Sequence, residues 1–156
     1  VTADIFFKSP EHKQRFLAVM QTYGHVYDGK LDQEYGAALY ILTADLDTWQ
    51  QTSSYVYHDG IDFEGMFKEV DFSGGYTRLV KLAGNLFNSG QHIEPIDFCA
   101  AQLDDDNFQV ALAALQLRRN ALHVSKPELY QADIDERNRI SRENREKPWL
   151  PQYDGE

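Results

Sequence analysis

The chain has 156 residues, 42% of them hydrophobic, which suits one globular domain with a core large enough to fold alone. Its 25 acidic and 15 basic residues leave a net charge of −10, which argues against a general nucleic-acid binder, since that needs a basic face to displace counterions. Cys99 is the one cysteine, so an intramolecular disulfide and a cysteine metal cluster are excluded.

The opening Val1-Thr2-Ala3-Asp4 lacks a basic region followed by an apolar run, and no stretch is long enough for a membrane helix. A cytoplasmic protein without membrane association is therefore expected. Asp4-Ile5-Phe6-Phe7 reads as an extended lead-in. Ser9-Pro10-Glu11 then starts a helix: Ser9 as cap, Pro10 in the first helical position, Glu11 at the positive end of the dipole. Phe16, Val19, Met20 and Tyr23 follow at helical spacing, and Gly24 ends the helix. His25–Asp32 is irregular around the turn signal Asp28-Gly29, and Asp32 caps the next helix.

Tyr35–Ala44 carries no charge and is apolar on every side of the helix it would form. Such a helix must be enclosed by others, so residues 33–44 are expected to form the buried centre of a bundle. A sparser helix follows, with apolar residues at Leu46, Trp49 and Val56, and Asp59-Gly60 breaks it after Tyr55 and Tyr57. Asp62 caps a short helix bearing Phe63, Met66, Phe67 and Val70. After the joint Asp71–Gly75, the residues Leu79, Val80, Leu82, Ala83, Leu86 and Phe87 make a strong stripe, which Asn88-Ser89-Gly90 stops. Pro95 opens a short helix with Ile96, Phe98 and Cys99, where the thiol reads as a small buried hydrophobe. Asp104-Asp105-Asp106 precede a long helix whose apolar face is predicted to be Phe108, Ala111, Leu112, Leu115 and Leu122. Beyond His123 the chain turns polar. Residues 128–147 are dense in charge, with Leu129, Tyr130, Ile134 and Ile140 making no continuous stripe, and two large aromatics, Trp149 and Tyr153, stand in the tail. The expected fold is all-α: six or seven helices packed around the central one, no convincing strand and no internal repeat. The domain is expected over residues 1–123, with 124–156 as a charged C-terminal helix or tail.

Motifs that would name a chemistry are missing: there is no phosphate-binding loop, nucleophile elbow or His-Glu-x-x-His helix. Asp28-x-Lys30-x-Asp32-x-Glu34 fails as a calcium loop because Lys occupies its third position. Arg78, Lys81 and Asn85 flank an apolar stripe and read as its wet face. His25 with Asp28, and His58 with Asp59, put imidazoles beside carboxylates. A small metal-dependent hydrolase or nucleotide-processing enzyme would need those four to converge, whereas turns and caps account for them individually. No cofactor is expected.

Tyr27–Ala44, Leu79–Asn88 and Phe6-Phe7-Lys8-Ser9-Pro10-Glu11-His12-Lys13 resemble a family of small uncharacterised proteins of bacteria, mainly Gram-positive ones, and of their phages and other mobile elements. The resemblance spans about residues 4–122. It implies a small cytoplasmic domain and transfers no catalytic residue, and the stretch beyond His123 reads as an addition.

The function expected from these features is binding to another protein that carries a basic surface, as a regulator or inhibitor. Asp104, Asp105 and Asp106 would steer the partner, and Trp149, Leu150 and Tyr153 would anchor it. The alternatives are the metal-dependent enzyme and a self-associating structural protein.

Overall fold

Ten consecutive residues, Tyr35–Ala44, are buried, as the charge-free stretch requires. A computed structural model of the chain describes residues 5–87 and 103–146, the last three by backbone alone. Seven α-helices fall among the described residues: α1 (Pro10–Thr22), α2 (Gln33–Leu42), α3 (Leu46–Thr52), α4 (Phe63–Glu69), α5 (Gly74–Leu86), α6 (Asp105–Arg119) and α7 (Lys126–Glu146). The fold is all-α, with α2 at its centre against α1, α3, α5 and α6, and α7 laid along α1. No described helix is long and apolar enough to cross a membrane.

The local signals act as their chemistry dictates. The Ser9 hydroxyl accepts from the His12 N–H at 3.0 Å, and Pro10 opens α1. Gly24 takes φ +74° just past the helix end, where its N–H reaches Gln21 O and that of His25 reaches Met20 O. Asp32 and Asp62 cap α2 and α4 through the N–H groups of Tyr35 and Gly65, each at 2.9 Å.

Three expectations change. Val56 and Tyr57 are not helical: they form β3 (Val56–Tyr57), which pairs with β4 (Gly60–Ile61), just as β1 (Val26–Tyr27) pairs with β2 (Lys30–Leu31). The supposed helix breaker Asp59-Gly60 is part of a hairpin. On α6 the buried face is Asn107, Val110, Ala111, Ala114 and Leu117, while Leu112 and Leu115 stand 39% and 46% exposed. The predicted stripe follows the largest side chains, yet the residues α6 buries include three alanines, Ala111, Ala113 and Ala114. The charged stretch after Ser125, expected as a helix or tail, is one helix of 21 residues that buries Leu129 and Ala132 against α1. Asn88–Gly90, the helix expected from Pro95, Cys99, Trp149, Leu150 and Tyr153 lie outside the described residues.

Candidate functional site

The two hairpins are one design used twice. Val26-Tyr27-Asp28-Gly29-Lys30-Leu31-Asp32 and Val56-Tyr57-His58-Asp59-Gly60-Ile61-Asp62 are both seven residues long, and each runs Val-Tyr, turn, aliphatic residue, Asp. Each closes with the same bond, Asp32 N–H to His25 O at 2.9 Å and Asp62 N–H to Tyr55 O at 2.8 Å. Each final Asp then caps the following helix. The expectation of no internal repeat is thus corrected. The unit is a short helix–hairpin–helix, and its turns hide the likeness. Asp28 and Gly29 have φ +56° and +83°, as a two-residue hairpin turn of mirror-image type requires, while the second turn, at His58-Asp59, has no positive φ.

The fold sets these hairpins side by side. The Nε2–H of His25, a buried residue, donates to His58 O at 2.7 Å. Because a carbonyl only accepts, that nitrogen carries a proton, while Nδ1 is enclosed and without a hydrogen-bond partner among the described residues. The ring stacks on Tyr35, 3.5 Å between centroids and 13° from parallel. The Tyr35 hydroxyl, on the first turn of α2, donates between Tyr57 O and His58 O, both at 3.3 Å. Burial, then the nearby Asp59 and Asp32 carboxylates, push the Tyr35 phenol up to about 12, so it stays a donor at neutral pH. The His58 ring lies against Gly24, where a Cβ would meet its Nε2 at 3.1 Å.

Of the four residues of the metal-centre reading, the structure therefore brings His25 and His58 together, with ring centroids 5.6 Å apart. It commits His25 Nε2 to a backbone carbonyl and leaves Asp28 and Asp59 exposed at the two tips. Among the described residues no group of three or more His, Cys, Asp or Glu is placed to hold a metal ion. What this end of the molecule displays is aromatic: Tyr27 and Tyr57, equivalent in the repeat, are 59% and 52% exposed. The Asp104 carboxylate accepts from Asn107 N–H at 2.8 Å as the cap of α6, and Asp105 and Asp106 are exposed on its first turn.

Sequence reasoning missed a second polar constellation. Lys8 Nζ donates to both Asp45 oxygens at 3.2 and 2.9 Å and to Asn107 Oδ1 at 3.1 Å, and the Tyr76 hydroxyl donates to Asp45 Oδ2 at 2.5 Å. Burial pulls the Lys8 pKa down, but the Asp45 hydrogen bond and charge outweigh it and the net shift is upward, so Lys8 stays charged. Asp45, the residue before α3, makes no capping bond because its carboxylate is turned to this clamp. The network ties the N-terminal segment to α3, α5 and α6. Its only trace in the sequence is an Asp at a cap position.

A shallow cavity of about 450 Å³ opens beside the first hairpin, where α7 begins. Another, about 670 Å³, lies between α1 and α7 and is lined by charges of both signs, Glu11, Arg139, Arg142 and Glu143 among them. No curated protein and no solved structure matches the chain. The match that exists covers the core helices and both hairpins, up to the residue that leads into α7: over residues 2–124 the chain belongs to DUF6075, a family of unknown function.

Proposed function

We propose that the chain is a protein-binding domain that docks a basic partner surface on its double-hairpin end, acting in the cytoplasm as a regulator or inhibitor within bacteria and their mobile elements. The observation that carries this reading is the pair of exposed tyrosines, Tyr27 and Tyr57, held at equivalent positions of two hairpins that are locked together by His25 and Tyr35. Tyrosine gives much contact area for little lost rotamer freedom and is a favoured hot-spot residue. Rigid hairpins remove part of the ordering cost of binding. Asp28 and Asp59 at the tips, within a net charge of −10, favour a cationic partner and speed its approach.

The test is quantitative capture from a host lysate with the full chain and with the double variant Tyr27→Ser/Tyr57→Ser. Both side chains face water, so the variant keeps its melting temperature. The expected result is a captured protein with a basic surface whose affinity for the variant falls by about tenfold or more. Equal capture by the variant refutes the reading.

A further inference from the structure

We infer that the cavity between the first hairpin and α7 is a binding site for an arginine side chain. The inference deepens the docking reading above, since a basic partner would supply that side chain.

The site is composite. Residues 122–124 run along the hairpin, with Leu31 N–H donating to Leu122 O at 2.9 Å and Val124 N–H to Gly29 O at 2.7 Å. That pairing starts α7 next to β1 and encloses a space of about 450 Å³. The hairpin contributes Val26 and Asp28, and α7 contributes Lys126, Leu129, Tyr130 and Asp133. Val26 and Leu129 offer apolar surface to a methylene stem. Tyr130, next to the buried Leu129, is 70% exposed, so its ring is open to a planar cation. Two carboxylates, Asp28 and Asp133, line the same space. Asp28 makes no ion pair among the described residues, and Asp133 is paired only with the exposed Arg137, at 3.1 Å. Arg137 is 78% exposed on its side of that pair and Asp133 24%, so the long, solvated arginine side chain can be displaced by a better-held partner. Lys126 is the one cation in the lining, against two anions.

A neutral apolar ligand would leave both carboxylates without a partner, and an anion would be repelled by them. An ammonium would satisfy the charges but not the ring face as well: guanidinium is planar, weakly hydrated and stacks on aromatic rings. The hairpin half of the site lies within the family match at residues 2–124 and the other half lies on α7, beyond it. The specificity is therefore a property of this chain's C-terminal helix as much as of the family core.

The experiment titrates N-acetyl-arginine amide into the isotope-labelled full chain and follows backbone amides by NMR. Saturable shifts centred on Gly29 and Leu129 are expected. Asp28→Asn and Asp133→Asn should each weaken binding by about fivefold. Asn is tolerated at the positive φ of residue 28, and both positions reach solvent, so the variants fold. N-acetyl-citrulline amide, of the same shape without the charge, should give no saturable shift, and N-acetyl-lysine amide should bind more weakly. Shifts spread over the whole acidic surface, citrulline or lysine binding at the arginine affinity, or binding unchanged in the two Asn variants would each overturn the site. Tyr27→Ser/Tyr57→Ser does not touch the lining. Probe binding retained with capture unchanged in that variant refutes the docking reading alone, and probe binding absent with capture lost refutes the cavity alone.

Discussion

His12 has both ring nitrogens committed inside the core. Its Nε2–H donates to Tyr40 O at 2.9 Å, and its Nδ1 accepts the Lys8 N–H at 3.2 Å. A carbonyl and an N–H dictate that tautomer. Phe7 and Tyr40 enclose the ring, with centroids 5.1 and 4.7 Å away. Burial, seconded by the charges of Arg15 and Lys8 against the Tyr40 carbonyl, holds the imidazole down to about 4. An unfolded histidine takes its proton near 6.5. Between those two values the unfolded state binds more protons than the folded one, so stability falls as pH drops from about 6.5 to 4, by up to about 3 kcal/mol. Urea denaturation at successive pH values measures this. In His12→Gln, whose amide offers a donor and an acceptor but no titration, the slope across that window should flatten. None of this is legible in the sequence, where His12 stands between a capping motif and a lysine on a helix expected to be amphipathic. Arg15 is likewise enclosed, with one guanidinium nitrogen donating to Thr43 O at 2.7 Å at the end of α2. Arg15 Nε is buried without a hydrogen-bond partner among the described residues. Hydropathy patterns assign such residues to the surface, because only tertiary contacts show which of their polar atoms find partners inside.

Single elements are readable in proportion to how much of their burial is local. α2 is legible because an apolar run with no charge leaves no wet face. The caps of α1, α2 and α4 are legible because Ser9, Asp32 and Asp62 bond only three residues ahead. The hairpins are not, since two-residue strands are too short to show alternation and their register is fixed by turn geometry. α6 is only partly legible: Ala111 is buried as expected, but Leu112 and Leu115 outweigh the buried Ala113 and Ala114 in any hydropathy sum. Leu112→Ala should then shift stability by less than about 0.5 kcal/mol, whereas Leu117→Ala, at a buried position, should cost about 2–5 kcal/mol. Thermal or urea unfolding of the two variants decides it, and the ranking reverses if the predicted stripe is the true one. The first hairpin offers a sharper contrast. Gly29 combines φ +83° with a Cβ position only 2.8 Å from the Val124 carbonyl oxygen, while Gly74 has nothing within 4 Å. Gly29→Ala should lose about 2 kcal/mol or more and loosen the approach to α7, and Gly74→Ala, at the start of α5, should be neutral or stabilising by a few tenths of a kcal/mol.

At the scale of the whole molecule, the organisation is a central helix inside its shell, with α7 applied from outside through a seam that changes character along its length. Near its start α7 buries Leu129 and Ala132; a turn further on, the buried group is Glu136. Glu136 accepts from Arg139 and from Gln14 of α1, and Arg139 also reaches Glu143 at 2.6 Å. The Glu136 hydrogen bond, above all, raises the Arg139 pKa, and Glu136 opposes the burial that lowers that of Arg15. One carboxylate thus compensates two guanidinium groups across the α1–α7 contact. A seam that joins the buried Leu129 and Ala132 to a charged network is expected to open locally at a lower free energy than the core. That is why the sequence leaves a helix or a tail open: its apolar residues make no stripe because part of its contact with α1 is polar, through Gln14–Glu136 and Lys13–Glu128. Glu136→Ala should leave Arg15 and Arg139 facing each other and weaken the docking of α7 by about 3 kcal/mol, and raised salt should add little to that loss because the pair is shielded from solvent. Hydrogen exchange reads the outcome directly. In the variant, α7 amides should exchange on the order of a hundredfold faster, while those of α2 keep their protection. If α2 and α7 accelerate by the same factor, α7 unfolds only with the core, and the cavity it shares with the first hairpin is as permanent as the bundle itself.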